Sequence, residues 1–322
     1  MAKKIIFNLL IIFISLIFAL ATCEIILRIK HTITYDYDIE QWKYAKKLKI
    51  KNNNIKIGHT HRLNSKSKLQ GVEIKINSYG QRDIEYDNSY LEKFDKSILF
   101  IGSSITLGWG VDSNKTFINR LNQLSKKNNK NWVFINGGIG NYNTERYINN
   151  YFEYWSDLRF TDIVVHFFVN DTEIINSDNS NFFTRNFQTG VILWKYLNSL
   201  RSDLNIENLE KYYLSKYSEN YEGYKIAINE LKIFSSFCLD KSINCHFILM
   251  PDIHQLNPYN LNFINTKMKV VSQNLNFKYF DLLKTLENIK PVKSLWNKYN
   301  DPHPNEFAHK LMSESLFSYF NK

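Results

Sequence analysis

The sequence has little cysteine, proline or glycine: 3, 5 and 11 respectively in 322 residues. Three cysteines cannot staple a disulfide-rich scaffold, and none stands in a Cys-x-x-Cys or His-x-x-x-His arrangement, which argues against a structural zinc site. Collagen-like repeats and disorder are excluded by a composition that is 44% hydrophobic and 22% charged. No internal repeat is visible, and no Gly-Lys-Ser/Thr phosphate loop follows any glycine cluster. Localised charge is also missing. Lys+Arg number 41 against 31 Asp+Glu, a formal +10, yet the lysines are dispersed among Asn, Ile and Tyr. Nucleic-acid binding requires a basic stripe or a readable module, so no nucleic-acid partner is expected; the excess of Lys fits A+T-rich coding. The length suits one large domain or two small ones.

What is present begins with an apolar run. Residues 5–22, IIFNLLIIFISLIFALAT, are broken only by Asn8, Ser15 and Thr22. At ~1.5 Å per residue the run is about 27 Å long, close to a bilayer's hydrocarbon core. Lys3 and Lys4 precede it, so the positive-inside bias keeps that end cytoplasmic and delivers the rest outside. Ala19-Leu20-Ala21 resembles a signal-peptidase site, and Leu20-Ala21-Thr22-Cys23 approaches a lipoprotein signal. Ile25, Ile26 and Leu27 prolong the run past both, which favours an uncleaved signal anchor over residues 1–27. Cys238 and Cys245 lie seven apart. Outside the cytoplasm they could pair; two separate buried thiols are the expectation.

Residues 28–74 carry Lys, Asn and His without a sustained period and read as a solvated stalk. From Ser97 the pattern becomes regular. Short apolar runs at 97–101, 132–136, 162–168, 244–250 and 277–281 read as buried strands. Segments with helical spacing follow Thr116 and Thr144, and a last helix runs from Asn305 to about Phe320. Strand and helix in alternation predict an α/β fold, a three-layer α/β/α sandwich around a parallel five-stranded sheet. One N-terminal transmembrane helix would precede it. Residues 172–220, polar and aromatic, interrupt the alternation and read as a lid or specificity insert at the sheet's C-terminal edge.

Four clusters carry chemistry. Phe100-Ile101-Gly102-Ser103-Ser104 runs from a strand into a glycine-permitted turn, which would hold a hydroxyl at the sheet edge beside free backbone N–H groups. Asn136-Gly137-Gly138-Ile139-Gly140 ends the second strand, where Gly140 could offer its N–H to an anionic oxygen. Val169-Asn170-Asp171 ends the third, with a side-chain amide able to do the same. Asn300-Asp301-Pro302-His303-Pro304-Asn305 holds a histidine between two prolines with a carboxylate two residues before it. Each taken alone also fits a turn or a helix cap.

Together, and in this order, the four blocks resemble the SGNH (GDSL-type) hydrolase superfamily, and within it the bacterial branch with one N-terminal membrane anchor. The resemblance covers roughly residues 75–322, beginning at Asn77-Ser78-Tyr79-Gly80-Gln81-Arg82-Asp83. It implies a flavodoxin-like fold, Ser104 as nucleophile, His303 as base, and an oxyanion hole from Ser104, Gly140 and Asn170. It implies no cofactor and no metal. Two positions depart from the family's pattern. Ser103 stands where the family usually has Asp, and the usual acid position three before the histidine holds Asn300. Asp301 is the only nearby carboxylate N-terminal to the histidine and is assigned as the acid. A rival pair, Asp252-Ile253-His254, also follows a strand, while His309 sits two turns into a helix and reads as packing.

The expected activity is that of a serine esterase or O-acyltransferase outside the cytoplasmic membrane, acting on an O-acylated cell-envelope or extracellular glycan. A lipid-ester hydrolase and a catalytically inactive, membrane-anchored glycan-binding or assembly protein are the alternatives.

Overall fold

A computed structural model describes residues 2–175, 181–199, 206–298 and 301–322. The five apolar runs form one parallel sheet: β1 (Lys96–Gly102), β2 (Trp132–Gly138), β3 (Asp162–Phe168), β4 (Asn244–Met250) and β5 (Lys278–Asp281). Their spatial order is β2-β1-β3-β4-β5, the doubly wound order of flavodoxin-like sheets. Side chains alternate along each strand. On β1, Leu99 and Ile101 enter one layer while Ile98 and Phe100 enter the other. Both faces are covered, so the strands read as continuous apolar runs rather than as alternating ones.

One layer is closed by the helices Thr144–Tyr154, Glu222–Asp240 and Asn262–Asn274, which contribute Tyr151, Phe234 and Met268. The opposite layer is closed by Phe117–Lys127 and Glu306–Phe320, through Leu121, Met312 and Leu316. Three of these helices start where the sequence supplies a capping side chain. Thr116, Asn143 and Asn305 accept from the backbone N–H of Asn119, Arg146 and Ala308, contacts typically worth ~1 kcal/mol each. The five strands and the last helix lie where the sequence pattern put them.

The chain divides into two compact units, residues 1–46 with 178–203, and residues 47–177 with 204–322. In the larger unit, residues 47–74 correct the stalk expectation. Lys49–Lys51 pairs with His59–His61, and Lys66–Leu69 pairs with Val72–Lys75. Ile57, Leu69 and Ile74 are buried. Strands of three or four residues present at most two buried positions each, too few to register as a period in a Lys-rich segment.

In the smaller unit the apolar N-terminal helix runs from Ala2 to Ile33, past the expected end at Leu27, and a second helix begins at Tyr37 and ends at Leu48, two residues into the larger unit. Helices Phe182–Asn186 and Gln188–Ser199, expected within a lid, belong to this unit. The rest of that insert behaves differently. Ile206–Lys216 belongs to the larger unit, where its Tyr213 and the next residue, Tyr217, are buried, and the Tyr217 hydroxyl donates to the Val169 carbonyl at 2.8 Å.

The cysteine expectation is overturned as well. Cys238, near the end of its helix, and Cys245, on β4, form a disulfide with a Cα–Cα distance of 6.2 Å. A tight turn through Ser242, held at φ 55°, brings the helix end back to the strand start. That places the two Cβ atoms within bonding range.

Candidate active site

β1 lies between β2 and β3, so the segments leaving these three strands meet at one edge of the sheet. Gly102 is in register with Gly138 on one side and His166 on the other. Ser104 follows Gly102 by two residues, Gly140 follows Gly138 by two, and Asn170 follows His166 by four. Sheet register alone therefore gathers three of the residues singled out in the sequence. Close approach demands glycine here. A Cβ on Gly138 would sit 2.1 Å from the backbone nitrogen of Leu107, in the short helix Ser104–Leu107 that begins with the candidate nucleophile.

The fourth block arrives from the C-terminal side. Asp301–Pro304 is a short strand paired antiparallel with Trp296–Lys298. On an extended strand residues i and i+2 share a face. Asp301 and His303 therefore point the same way although only one residue separates them, and Pro302 enforces that extension. The His303 Nδ1–H donates to Asp301 Oδ1 at 2.6 Å, and the His303 backbone N–H donates to the same oxygen at 3.1 Å. That fixes the tautomer with the proton on Nδ1 and leaves Nε2 to accept. Ser104 Oγ lies 2.8 Å from His303 Nε2. Serine, imidazole and carboxylate thus form one continuous relay. Asn300 lies outside the described residues.

No family model fits the chain, and no curated protein is significantly similar to it. Solved structures do resemble it. A psychrotrophic esterase, EstA, from Pseudoalteromonas sp., inhibited by monoethylphosphonate, is 13% identical with a TM-score of 0.45, over 71% of this chain and 100% of its own. A putative lipolytic protein of the G-D-S-L family from Desulfitobacterium hafniense is 11% identical with a TM-score of 0.43, covering 70% and 99%. An acetyl xylan esterase, AlAXEase, is 15% identical with a TM-score of 0.43, covering 69% and 98%.

Electrostatics around the relay suit an anionic acid. Burial alone would push the Asp301 carboxyl up, but the hydrogen bonds and charge of His303, aided by Asn297, outweigh it and hold the group below the usual carboxylate range. Its second oxygen faces Asn297 Nδ2 at 3.3 Å and Gln70 Nε2 at 3.5 Å. The rival pair repeats the local geometry, with His254 Nδ1 2.7 Å from Asp252 Oδ1. Among the described residues, the imidazole bonded to Ser104 Oγ is that of His303. His309 is buried, with Nδ1 accepting from the Phe117 N–H at 2.9 Å, a packing role.

Several supporting residues escaped sequence reasoning. Gln70 occupies the tip of the Lys66–Leu69/Val72–Lys75 hairpin at φ 53° and reaches Asp301 from the segment expected to be a stalk. Asn297 is packed so tightly beneath Gly110, itself at φ 75°, that a Cβ there would overlap its amide. Arg82 is buried and donates to the carbonyls of Leu107 (3.0 Å), Gly108 (2.7 Å) and Val111 (2.8 Å), clamping the loop that follows Ser104. The Asn77–Asp83 block contained this arginine, but nothing in the sequence told which loop it would grip. Asp83, beside it, accepts from the Asn136 N–H at 2.7 Å; burial pushes its carboxyl up to about 6. His59 lies 3.0 Å through Nε2 from the Gly140 carbonyl, holding that peptide. Asp171 accepts from the Phe168 N–H at 2.9 Å and closes the turn that leaves Asn170 exposed.

Proposed function

We propose that this chain is a serine hydrolase of the SGNH type, cleaving esters by acyl transfer through Ser104. The observation that carries the reading is the unbroken Ser104–His303–Asp301 relay at the C-terminal edge of a parallel sheet. His303 Nε2 takes the Ser104 proton as Oγ attacks the ester carbonyl. Asp301 holds the imidazole in the productive tautomer and offsets the charge of the imidazolium. The Ser104 and Gly140 backbone N–H groups and the Asn170 amide receive the developing oxyanion. His303 then returns the proton to the leaving alcohol. Water, activated by the same imidazole, resolves the acyl-enzyme in an esterase; a sugar hydroxyl takes its place in an O-acyltransferase.

The domain works outside the cytoplasmic membrane in this reading. Support comes from an N-terminal helix long and apolar enough to cross a bilayer, preceded by Lys3 and Lys4, and from the Cys238–Cys245 disulfide, which suits an oxidising compartment. An O-acylated cell-envelope or extracellular glycan is the substrate class within reach of such a domain.

The test is labelling of the full chain with a fluorophosphonate. Wild type should be labelled stoichiometrically and Ser104→Ala should not be. Absence of labelling in folded wild type would favour an inactive glycan-binding protein instead.

A further inference from the structure

Within the smaller unit, the helix Gln188–Ser199 carries most of its large apolar side chains on the outside. Its first turns bury Gln188 and Val191, and several of the bonds that hold it to the rest of the unit are polar. Glu24, a carboxylate just past the apolar run of the N-terminal helix, accepts from the backbone N–H groups of Gln188 (3.1 Å) and Thr189 (2.9 Å), capping the start of this second helix. His31 Nδ1 meets the Gln188 side chain at 2.7 Å. Further along, Lys195 pairs with Asp38 at 2.5 Å and Asp36 at 3.4 Å. Its outward stripe is apolar. Leu193, Trp194, Tyr196 and Leu197 stand at helical spacing and are 58%, 55%, 60% and 46% exposed. Phe182 and Phe183, on the helix just before it, are exposed as well.

A soluble surface seldom carries such a contiguous patch unless something covers it. What covers it follows from where Glu24 lies. Counting from Ile5 at ~1.5 Å per residue, Glu24 is about 29 Å along the N-terminal helix, which is the thickness of a hydrocarbon core. The start of Gln188–Ser199 is bonded to the helix at that level, where a bilayer's outer interface would be. Its apolar side chains are exposed like those of the N-terminal helix from Ile5 to Ile26, and Trp194 and Tyr196 are the side-chain types that settle among headgroups. The buried Glu24 thereby gains a purpose. A carboxylate at the end of a membrane span is neutralised by helix N–H groups and by Arg28, at 2.7 Å, instead of being left in lipid.

We propose that residues 182–199 are a membrane-interfacial element. In this assignment the helix Gln188–Ser199 lies in the outer leaflet's headgroup region beside the anchor, with Leu193, Trp194, Tyr196 and Leu197 immersed ~5–10 Å. The occupant of the patch is the lipid bilayer. The proposal rests on the reading of the N-terminal helix as an uncleaved anchor.

The experiment uses the full chain in nanodiscs of phosphatidylcholine and phosphatidylglycerol, with Cys23, the free cysteine, changed to serine. A nitroxide is attached singly at Trp194→Cys, Leu197→Cys, Ile14→Cys on the anchor, or Lys127→Cys on an exposed helix of the larger unit. Collision with oxygen and with a water-soluble nickel chelate is then measured. The proposal expects an oxygen-to-nickel accessibility ratio at 194 and 197 several-fold above that at 127 and approaching that at 14. A water-like ratio at 194 and 197 with a lipid-like one at 14 overturns the proposal and leaves the anchor standing. Shielding from both reagents at 194 and 197 also overturns it, because protein (a partner or a second copy) then covers the patch. A water-like ratio at 14 removes the anchor reading and this proposal with it.

Discussion

Replacing Asp301 with asparagine isolates the contribution of one charge in the relay. The carboxylate is 2% exposed, and both of its oxygens face donors: His303 Nδ1–H and N–H on one, Asn297 and Gln70 amides on the other. An amide cannot satisfy this arrangement in either orientation. With its oxygen toward His303, its NH2 opposes two other NH2 groups. Flipped, it donates to His303 Nδ1, which places the imidazole proton on Nε2 and turns the base toward Ser104 as a donor. Loss of charge adds to loss of tautomer, since nothing then offsets the imidazolium. The expected fall in kcat is ~10⁴, equivalent to about 5.5 kcal/mol of transition-state stabilisation. The assay is hydrolysis of p-nitrophenyl acetate by Asp301→Asn and wild type, on protein whose circular dichroism shows an intact fold. A folded variant retaining activity within about tenfold of wild type would refute the acid assignment and leave a Ser104–His303 dyad.

Three further outcomes follow from the same geometry. Asn170→Ala should slow acyl transfer by ~10²–10³ in kcat with little change in KM, because the proposed oxyanion amide would act on charge that develops only in the transition state; an unchanged kcat would reduce Asn170 to a turn residue. Arg82→Met leaves the carbonyls of Leu107, Gly108 and Val111 without their buried donor. It should lower unfolding stability by roughly 2–4 kcal/mol in urea titrations, with kcat falling as the Ser104 loop loosens; an unperturbed midpoint would contradict the clamp. Asp83 titrates near 6 in the folded chain, above its ordinary value of 3.8. A carboxyl with a raised folded pKa binds protons more tightly when folded, so its contribution favours folding at low pH and is lost as pH rises from about 4 through about 6. The melting temperature of wild type relative to Asp83→Asn should therefore decline across that window; a flat difference would count against the buried carboxyl.

The sequence by itself determined the sheet and the order of the blocks, and it carried the chemistry proposed for the strand ends. Strands buried on both faces must be apolar runs, and helices packed on them must be amphipathic, so both leave long signals. The proposed site residues Ser104, Gly140, Asn170 and His303 could be singled out for a related reason. A serine, glycine, amide or histidine at the end of such a run is ambiguous singly, whereas all four in order converge on one chemistry. Tertiary structure alone decided how Asp301, the proposed acid, meets His303. Asp301 stands one residue nearer His303 than the resemblance implies, and only pairing of Asp301–Pro304 with Trp296–Lys298 makes an extended strand that turns both side chains to one face. Gln70 was invisible because it meets Asp301 across 231 residues, a distance that no periodicity encodes; Asn297 is only four residues from Asp301, but no local pattern marks it, and Arg82 stood in a noticed block whose target loop the sequence did not reveal. The same holds for Glu24. In sequence it is a charge awkwardly close to an apolar run, and the reason for it lies in a helix more than 160 residues away that it caps.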